Sequence, residues 1–202
     1  MRAPGTDAEL ARRLTEIVQA APSLMRVLRT ARMLDLPDWL VMSGAVYQLV
    51  LNHLTGRAPD YGVRDYDLGY FDASDISYEA EDIVIRRVAA AFDGPLKSIV
   101  EVRNQARVHV WFEAHFGESY TPLSSTAEAL ERFVSPMFAV GARLDAEDRL
   151  HIEAPFGLAD LFALRLRPNP RRPYGGFDRV AASVVRRWPE LTVEAGTTPG
   201  QR

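Results

Sequence analysis

Cysteine is missing from all 202 residues of the chain. Its absence excludes disulfides and thiolate metal ligands, and it is compatible with a reducing, cytoplasmic environment. An excess of positive charge is also missing, because 24 Lys and Arg residues stand against 27 Asp and Glu residues. We therefore expect no global basic field that would draw the protein onto nucleic acid, which leaves a local basic patch as the open alternative.

Long hydrophobic runs are lacking as well. No apolar stretch is long enough to span a bilayer, and residues 1–5 lack the apolar core of a signal peptide. We therefore expect a soluble cytoplasmic protein that has no membrane partner. Internal repeats and low-complexity segments are also absent from the sequence. With 47% hydrophobic residues, the chain is long enough for one well-packed domain and short for two.

Helical and extended patterns are mixed without regular alternation, which predicts an α+β fold. We expect a single domain over 1–195, with N-terminal helices within 7–33, a core over 39–166, a C-terminal helix over 177–188 and a disordered tail over 196–202. Further helices are predicted over residues 45–54, 78–92, 125–133 and 158–166. Strands are predicted over 39–42 and 65–71, and hairpins over 98–103 with 106–112 and over 137–143 with 149–153.

Two carboxylates mark one edge of an apolar strand, where residues 65–68 read Asp-Tyr-Asp-Leu. Successive side chains of an extended chain point to opposite faces, so Asp65 and Asp67 point the same way. Two like charges held so close repel each other unless a positive group lies between them. Mg²⁺ is commonly held by one or two carboxylates plus substrate phosphates, so the pair is a candidate metal site. The alternatives are solvated acids on an edge strand, or compensation by Arg57 or Arg64.

The segment 41–45, Val-Met-Ser-Gly-Ala, has the pattern of a strand, a tight turn and the start of a helix. Glycine lets the backbone approach a ligand closely, and the exposed N–H groups at a helix start favour phosphate. The hydroxyl of Ser43 would add one more donor beside Gly44. The alternative is a plain strand-to-helix turn that needs small residues.

A further acid for this site is sought in the predicted hairpin over 98–112. Glu101 and His109 each lie in the middle of a predicted strand. If the turn is at 104–105, the two side chains fall on opposite faces, so at most one of them can face Asp65 and Asp67. A three-residue loop would shift the register and let both face the same way. The structural alternative for His109 is a core histidine bonded to backbone.

Near the C-terminal end of the predicted core, Asp160 stands at the start of a short helix, where an acid compensates the helix dipole. Arg165 and Arg167 follow it. We expect these two arginines to form structural ion pairs, with contacts to phosphates or to the acidic pair as the alternative.

A strand that ends in small residues, a helix and an apolar strand bearing Asp-x-Asp resemble the organisation of the polymerase β-like nucleotidyltransferase superfamily. More closely, the chain resembles an uncharacterised bacterial branch of nucleotidyltransferase family proteins. The stretches that carry this closer resemblance are 36–39, 43–46, 64–72, 101–111, 154–158 and 165–169. The resemblance implies a mixed β-sheet flanked by helices, with Mg²⁺ (or Mn²⁺) as cofactor.

The resemblance also implies the activity, which is transfer of an NMP from an NTP to a hydroxyl of an unknown acceptor: a protein, an RNA or a small molecule. Asp65 and Asp67 would bind the metal, and Glu101 or His109 would complete the catalytic site. The nucleotide-binding residues implied are Ser43, Gly44 and Arg64.

The chain departs from the superfamily in two respects. The spacing between Gly44 and Asp65 is 21 positions, longer than is usual. A histidine, His109, also stands where a third carboxylate is expected, and a neutral imidazole suits Mg²⁺ poorly. The alternative function is therefore a catalytically weak or inactive module that binds a nucleotide or a partner on the same fold.

Overall fold

The structure is a computed structural model that describes residues 5–172 and 176–194. The tail predicted over 196–202 lies outside the described residues. The helices are α1 (Asp7–Gln19), α2 (Pro22–Leu34), α3 (Gly44–Leu54), α4 (Tyr78–Ala91), α5 (Leu96–Ile99), α6 (Val108–Phe116), α7 (Thr126–Leu130), α8 (Ala159–Phe162) and α9 (Phe177–Val185). The strands are β1 (Leu40–Met42), β2 (Tyr66–Tyr70), β3 (Val100–Asn104), β4 (Gly141–Leu144), β5 (Leu150–Glu153), β6 (Arg165–Leu166) and β7 (Thr192–Val193).

Five of these strands form a mixed sheet in the order β3-β2-β1-β4-β5. The strands β2 and β3 are parallel, and the other neighbours in this sheet are antiparallel. The short strands β6 and β7 form a separate parallel pair. This arrangement confirms the predicted α+β class with a mixed sheet flanked by helices. In the part of the chain that the structure describes, no helix is both long and apolar enough to cross a membrane.

The two faces of the five-stranded sheet are covered differently. One face contributes Val41, Leu68 and Val102 to the large core and packs under α2, α3 and α4. The other face carries Leu40 and Met42, which pack with a smaller apolar group next to α7. Side chains alternate along each strand, so the residues between the core positions of β2 and β3 lie on this second, more open face. It is the face that carries the predicted acids.

A glycine allows α7 to approach this second face closely. A Cβ added at Gly69 in β2 would lie 2.6 Å from the Met42 side chain and 3.0 Å from that of Thr126. Both distances are shorter than ordinary carbon contacts, so a larger residue would push the helix away from the sheet. The glycine in this strand is therefore explained by packing.

The predicted hairpin over 98–112 is wrong in its second half. Residues 100–104 form β3 as expected, but β3 pairs in parallel with β2, and residues 108–116 are helical. The side chain of Asn104 accepts a hydrogen bond from the N–H of Ala106 at 3.1 Å and so begins a 3-10 turn instead of a hairpin. Arg107 at the end of that turn pairs with buried Glu81 of α4. These contacts direct the chain away from the sheet.

Three other boundaries also differ from the predictions. The helix expected over 158–166 ends at Phe162, because Leu164 has a left-handed backbone (φ 53°) and the chain then enters β6. The strand expected over 137–143 starts at Gly141, after a 3-10 turn over Pro136–Phe138. The helix expected over 125–133 covers only Thr126–Leu130, as α7.

Candidate active site

Three carboxylates lie on the open face of the sheet. The parallel register pairs Asp67 of β2 with Glu101 of β3, and residues paired in this way point to the same face. Asp65 precedes Asp67 by two positions and therefore points the same way. We call Asp65, Asp67 and Glu101 the acidic cluster. The structure thus brings together two of the predicted metal ligands and one of the two candidates for the third acid.

The electrostatics of the acidic cluster show that its charges repel one another. The pKa of Asp67 is raised to about 6, first by burial and then by the negative charges of Asp65 and Glu101. The guanidinium of Arg103 acts in the opposite direction. Arg103 lies 3.7 Å from the Glu101 carboxylate, and both side chains are about half exposed. A cation bound here would relieve this repulsion and favour the ionised form of Asp67.

Arg57 and Arg64 do not neutralise the acidic cluster by ion pairing. Arg57 has Glu190 as its ion-pair partner, at 2.8 Å. Arg64 is exposed, and among residues 5–172 and 176–194 no carboxylate is ion-paired with it. Its predicted contact with the nucleotide stays a prediction.

The turn between β1 and α3 reaches the acidic cluster. Ser43 has an unusual backbone conformation (φ 49°, ψ −106°), and its N–H donates to the carbonyl of Val140 at 2.7 Å. A Cβ added at Gly44 would lie 3.9 Å from the Asp65 carboxylate, so the backbone of Gly44 stands directly beside it. We call residues 43–44 the Ser-Gly turn. A strained backbone position next to clustered acids is typical of a functional site.

The first turn of α3 leaves polar groups free toward this turn. Two of the first four N–H groups of α3 donate to the carbonyl of Ser43 at 2.9 Å, which leaves those of Gly44 and Ala45 without an acceptor among the described residues. Gln48, one turn further along, is 7% exposed, and its side-chain oxygen has no hydrogen-bond partner among the described residues. Its amide nitrogen lies 3.4 Å from the hydroxyl of Tyr47 and 3.3 Å from the position of a Cβ on Gly44. The helix start therefore offers both donors and an acceptor beside Gly44.

His109 does not lie in a strand as expected. It belongs to α6, which follows the C-terminal end of β3 after a 3-10 turn. The acidic cluster is located at the N-terminal ends of β2 and β3, so the strand register separates the two groups by the length of β3. The Nδ1 atom of His109 is buried and has no hydrogen-bond partner within the described ranges. The parallel register thus favours Glu101 over His109 as the third member of the site.

Several residues that support the site were not identified in the sequence. Glu81 of α4 accepts a hydrogen bond from the N–H of Asn104 at 2.8 Å and pairs with Arg107, and all three residues are buried. Asn104 also accepts a hydrogen bond from the N–H of Asp72 at 3.0 Å, which fixes the segment after β2. The signal for these contacts was the presence of charged and amide side chains within apolar stretches.

Asp160 behaves as expected for a structural residue. It is 5% exposed and accepts hydrogen bonds from Arg165 at 2.6 Å and from Arg167 at 2.7 Å. The predicted structural ion pairing is confirmed. Both guanidinium groups are therefore engaged by this carboxylate.

A metal ion would need ligands beyond three protein side chains. Among the described residues, no group of three or more His, Cys, Asp or Glu side chains forms an arrangement that could hold a metal ion. The ligands that the acidic cluster offers are hard carboxylate oxygens, which suit Mg²⁺ or Mn²⁺. Mg²⁺ sites in phosphate-transfer enzymes typically use one or two carboxylates and take the remaining ligands from substrate phosphates and water.

Sequence comparison decides the family. Residues 29–193 match the sequence profile of the family described as Nucleotidyltransferase, a range that includes the Ser-Gly turn and the acidic cluster. The chain belongs to this nucleotidyltransferase family. Comparison with curated protein sequences found no significant match.

Structure comparison agrees with the family at the level of the fold. The chain is similar to a protein whose NMR structure reveals a CCA-adding enzyme head domain, with a TM-score of 0.72, 23% identity and coverage of 92% of this chain and 96% of that one. A CCA-adding enzyme in complex with CTP aligns with a TM-score of 0.47 and 14% identity, over 96% of this chain and 44% of that one. The predicted membership of a nucleotidyltransferase family is confirmed by the sequence profile, and the structural match agrees with the predicted fold. Family membership supports nucleotide transfer in general.

Proposed function

We propose that this nucleotidyltransferase depends on a divalent metal and transfers an NMP from an NTP to a hydroxyl of an acceptor. The observation that carries the proposal is the acidic cluster beside the Ser-Gly turn. Carboxylates from two neighbouring strands converge on one face, and the backbone of Gly44 stands beside Asp65. A triphosphate held at the start of α3 would therefore lie next to the acids.

Asp65 and Asp67 are the proposed metal ligands. The raised pKa of Asp67 supports this assignment, because a carboxylate crowded by like charges gains most from a nearby cation. Mg²⁺ or Mn²⁺, when bound, would neutralise the triphosphate and stabilise the leaving pyrophosphate. Since the described carboxylates do not complete a metal site alone, we infer that the metal enters together with the NTP.

The proposed reaction is a substitution at the α-phosphorus. The acceptor oxygen forms a bond to that phosphorus, and the bond from phosphorus to the bridging oxygen of the pyrophosphate breaks. The pyrophosphate leaves with the electron pair of the broken bond. We assign the proton of the acceptor hydroxyl to Glu101, whose side chain is 56% exposed and is thus open to an incoming acceptor. The Ser-Gly turn and Arg64 contact the nucleotide.

Transfer of α-labelled nucleotide tests this function. The protein is incubated with Mg²⁺ or Mn²⁺, each NTP in turn and a cell lysate as the source of acceptors. We expect label from the α-phosphate, but not from the γ-phosphate, to appear on an acceptor. Replacing Asp65 or Asp67 by Asn should abolish transfer, because each substitution removes a charged ligand while it preserves size.

The matched control is Asp148→Asn, a substitution in the β4–β5 turn that faces Arg32. This variant should transfer label at the rate of the wild type. Absence of transfer with every NTP, despite metal-dependent NTP binding, would favour the alternative of a nucleotide-binding module without turnover. That alternative has one observation in its favour, which is the lack of a complete metal site among the described carboxylates.

A further inference from the structure

Arg187 is held in place just after α9. Its Nη1 atom donates to the carbonyl of Gly62 at 3.1 Å, and its guanidinium carbon lies 4.6 Å from the centroid of the Trp188 ring. The ring of Trp188 is fully buried and donates from its indole nitrogen to Asn52 of α3 at 2.9 Å. Trp188 therefore anchors the backbone at Arg187 to the core. Arg187 is far in sequence from the residues of the acidic cluster.

The guanidinium of Arg187 reaches the start of α3. Burial raises the pKa of the Tyr47 phenol, while hydrogen bonding from Gln48 and the charge and hydrogen bonding of Arg187 lower it. The charge of Asp65 also acts on this phenol. The Gln48 amide nitrogen lies 3.4 Å from the Tyr47 hydroxyl, and it also lies next to Gly44. Gln48 and Tyr47 therefore form a row of side chains that connects the Ser-Gly turn to Arg187.

Gly62, whose carbonyl holds Arg187, also lies close to the acidic cluster along the chain. It precedes Asp65 by three positions in the loop that enters β2. Arg187 thus interacts with two segments that lead to the proposed site: the loop before Asp65, through Gly62, and the first turn of α3, through Tyr47.

Arg187 also differs from Arg57, which has a carboxylate partner. Arg57 stacks on Tyr61 at 5.6 Å and has Glu190 as its partner. Within residues 5–172 and 176–194, no carboxylate lies at ion-pair distance from Arg187, whose contacts are a carbonyl, a phenol and an indole ring. A guanidinium that is fixed in place and lacks an anionic partner is suited to bind phosphate oxygens in a bidentate manner.

We propose that Arg187 binds the β- and γ-phosphates of the NTP at the Ser-Gly turn. This inference rests on the proposed function and adds a residue to it, from a part of the chain remote in sequence from the predicted site residues. It would place donors on two sides of the triphosphate: backbone N–H groups at the start of α3 on one side, and a guanidinium on the other. Arg187 would contact the substrate phosphates and would take no part in making or breaking a bond.

The test compares binding of an NTP and of the corresponding NMP in the presence of Mg²⁺ by calorimetry, without acceptor. All four NTPs are first titrated into wild-type protein, and the one that binds most tightly is used afterwards. Arg187→Gln should weaken NTP binding about tenfold or more, as expected for loss of a charged hydrogen bond. It should change NMP binding by less than about twofold. Arg187→Lys should recover part of the NTP affinity, since it restores the charge.

Arg57→Gln is the matched control, because it removes an arginine that is stacked on an aromatic ring and paired with a carboxylate. Its NTP affinity should equal that of the wild type. The proposal is overturned if Arg187→Gln binds NTP as the wild type does, or if it loses NTP and NMP affinity equally and Lys restores neither. Wild-type protein that binds none of the NTPs would instead refute the proposed function itself, and the Arg187 inference with it. Thermal unfolding of each variant shows whether it is folded.

Discussion

Replacing Asp67 by Asn should make the metal-free protein more stable at neutral pH, although the same change should abolish transfer. The reason is the crowding of the acidic cluster, which raises the pKa of Asp67 from 3.8 to about 6. At about 1.4 kcal/mol per pH unit, a rise of this size places about 3 kcal/mol against the ionised carboxylate in the folded state. Asn removes that charge, and we expect a gain of about 1–3 kcal/mol in the free energy of unfolding.

The sign of the pH dependence follows from proton binding. Between about pH 4 and about pH 6 the folded protein holds the Asp67 proton more tightly than the unfolded chain does. The contribution of this group to stability is therefore fully present below about pH 4 and is lost as the pH rises through about 6. The difference between the Asn variant and the wild type should be largest above that range and should vanish below it.

Urea unfolding in the presence of a chelator measures this effect at about pH 7.5 and about pH 4, with tryptophan fluorescence as the signal. The control is Asp145→Asn. Hydrogen bonds from His151 and Arg149 hold the pKa of Asp145 below its usual range, so its loss should lower stability at neutral pH. Repulsion within the acidic cluster is refuted as the cause if Asp67→Asn is no more stable than the wild type at neutral pH, or if its gain is the same at both pH values.

Three further substitutions test the framework around the site. Arg107→Met leaves the buried carboxylate of Glu81 without its cation, so the free energy of unfolding in guanidinium should fall by about 3 kcal/mol or more; a fall below about 1 kcal/mol would contradict the pairing. Ser43→Gly relieves the positive φ of 49° and should raise the urea midpoint, equivalent to about 1 kcal/mol; a lower midpoint would show that no strain is stored there. Asn169→Ala removes two hydrogen bonds of 2.7 Å to backbone carbonyls, so thermal unfolding should reveal a loss of about 2–3 kcal/mol; an unchanged midpoint would argue against these bonds.

The part of the site that depends on local pattern could be predicted from the sequence. Asp65 and Asp67 share a face because side chains alternate along any strand, and the Ser-Gly turn follows from small residues between a strand pattern and a helix pattern. These positions can be predicted without knowing which strands pair. The same holds for the class of the fold, since each long helix has its own periodic pattern.

The partners of the acidic cluster depend on contacts between distant segments, which the sequence does not reveal. Residues 106–112 alternate apolar and polar side chains in a way that fits a strand, yet Arg107 pairs with Glu81, and the chain turns into a helix. The strand next to Asp67 is the one that carries Glu101, in a parallel register that the local pattern does not reveal. Arg187 was missed for the same reason, because its approach to α3 depends on the packing of Trp188.

Paramagnetic broadening by Mn²⁺ in the presence of a non-hydrolysable NTP would show whether metal and nucleotide bind together at the acidic cluster and the Ser-Gly turn, as we propose. In an amide-resolved NMR spectrum, signals of residues 43–45, 65–67 and 101 should broaden first, and Asp67→Asn should suppress the effect. Joint binding at this site is contradicted if these signals stay sharp while others, such as those of the β4–β5 turn around Asp145, broaden instead.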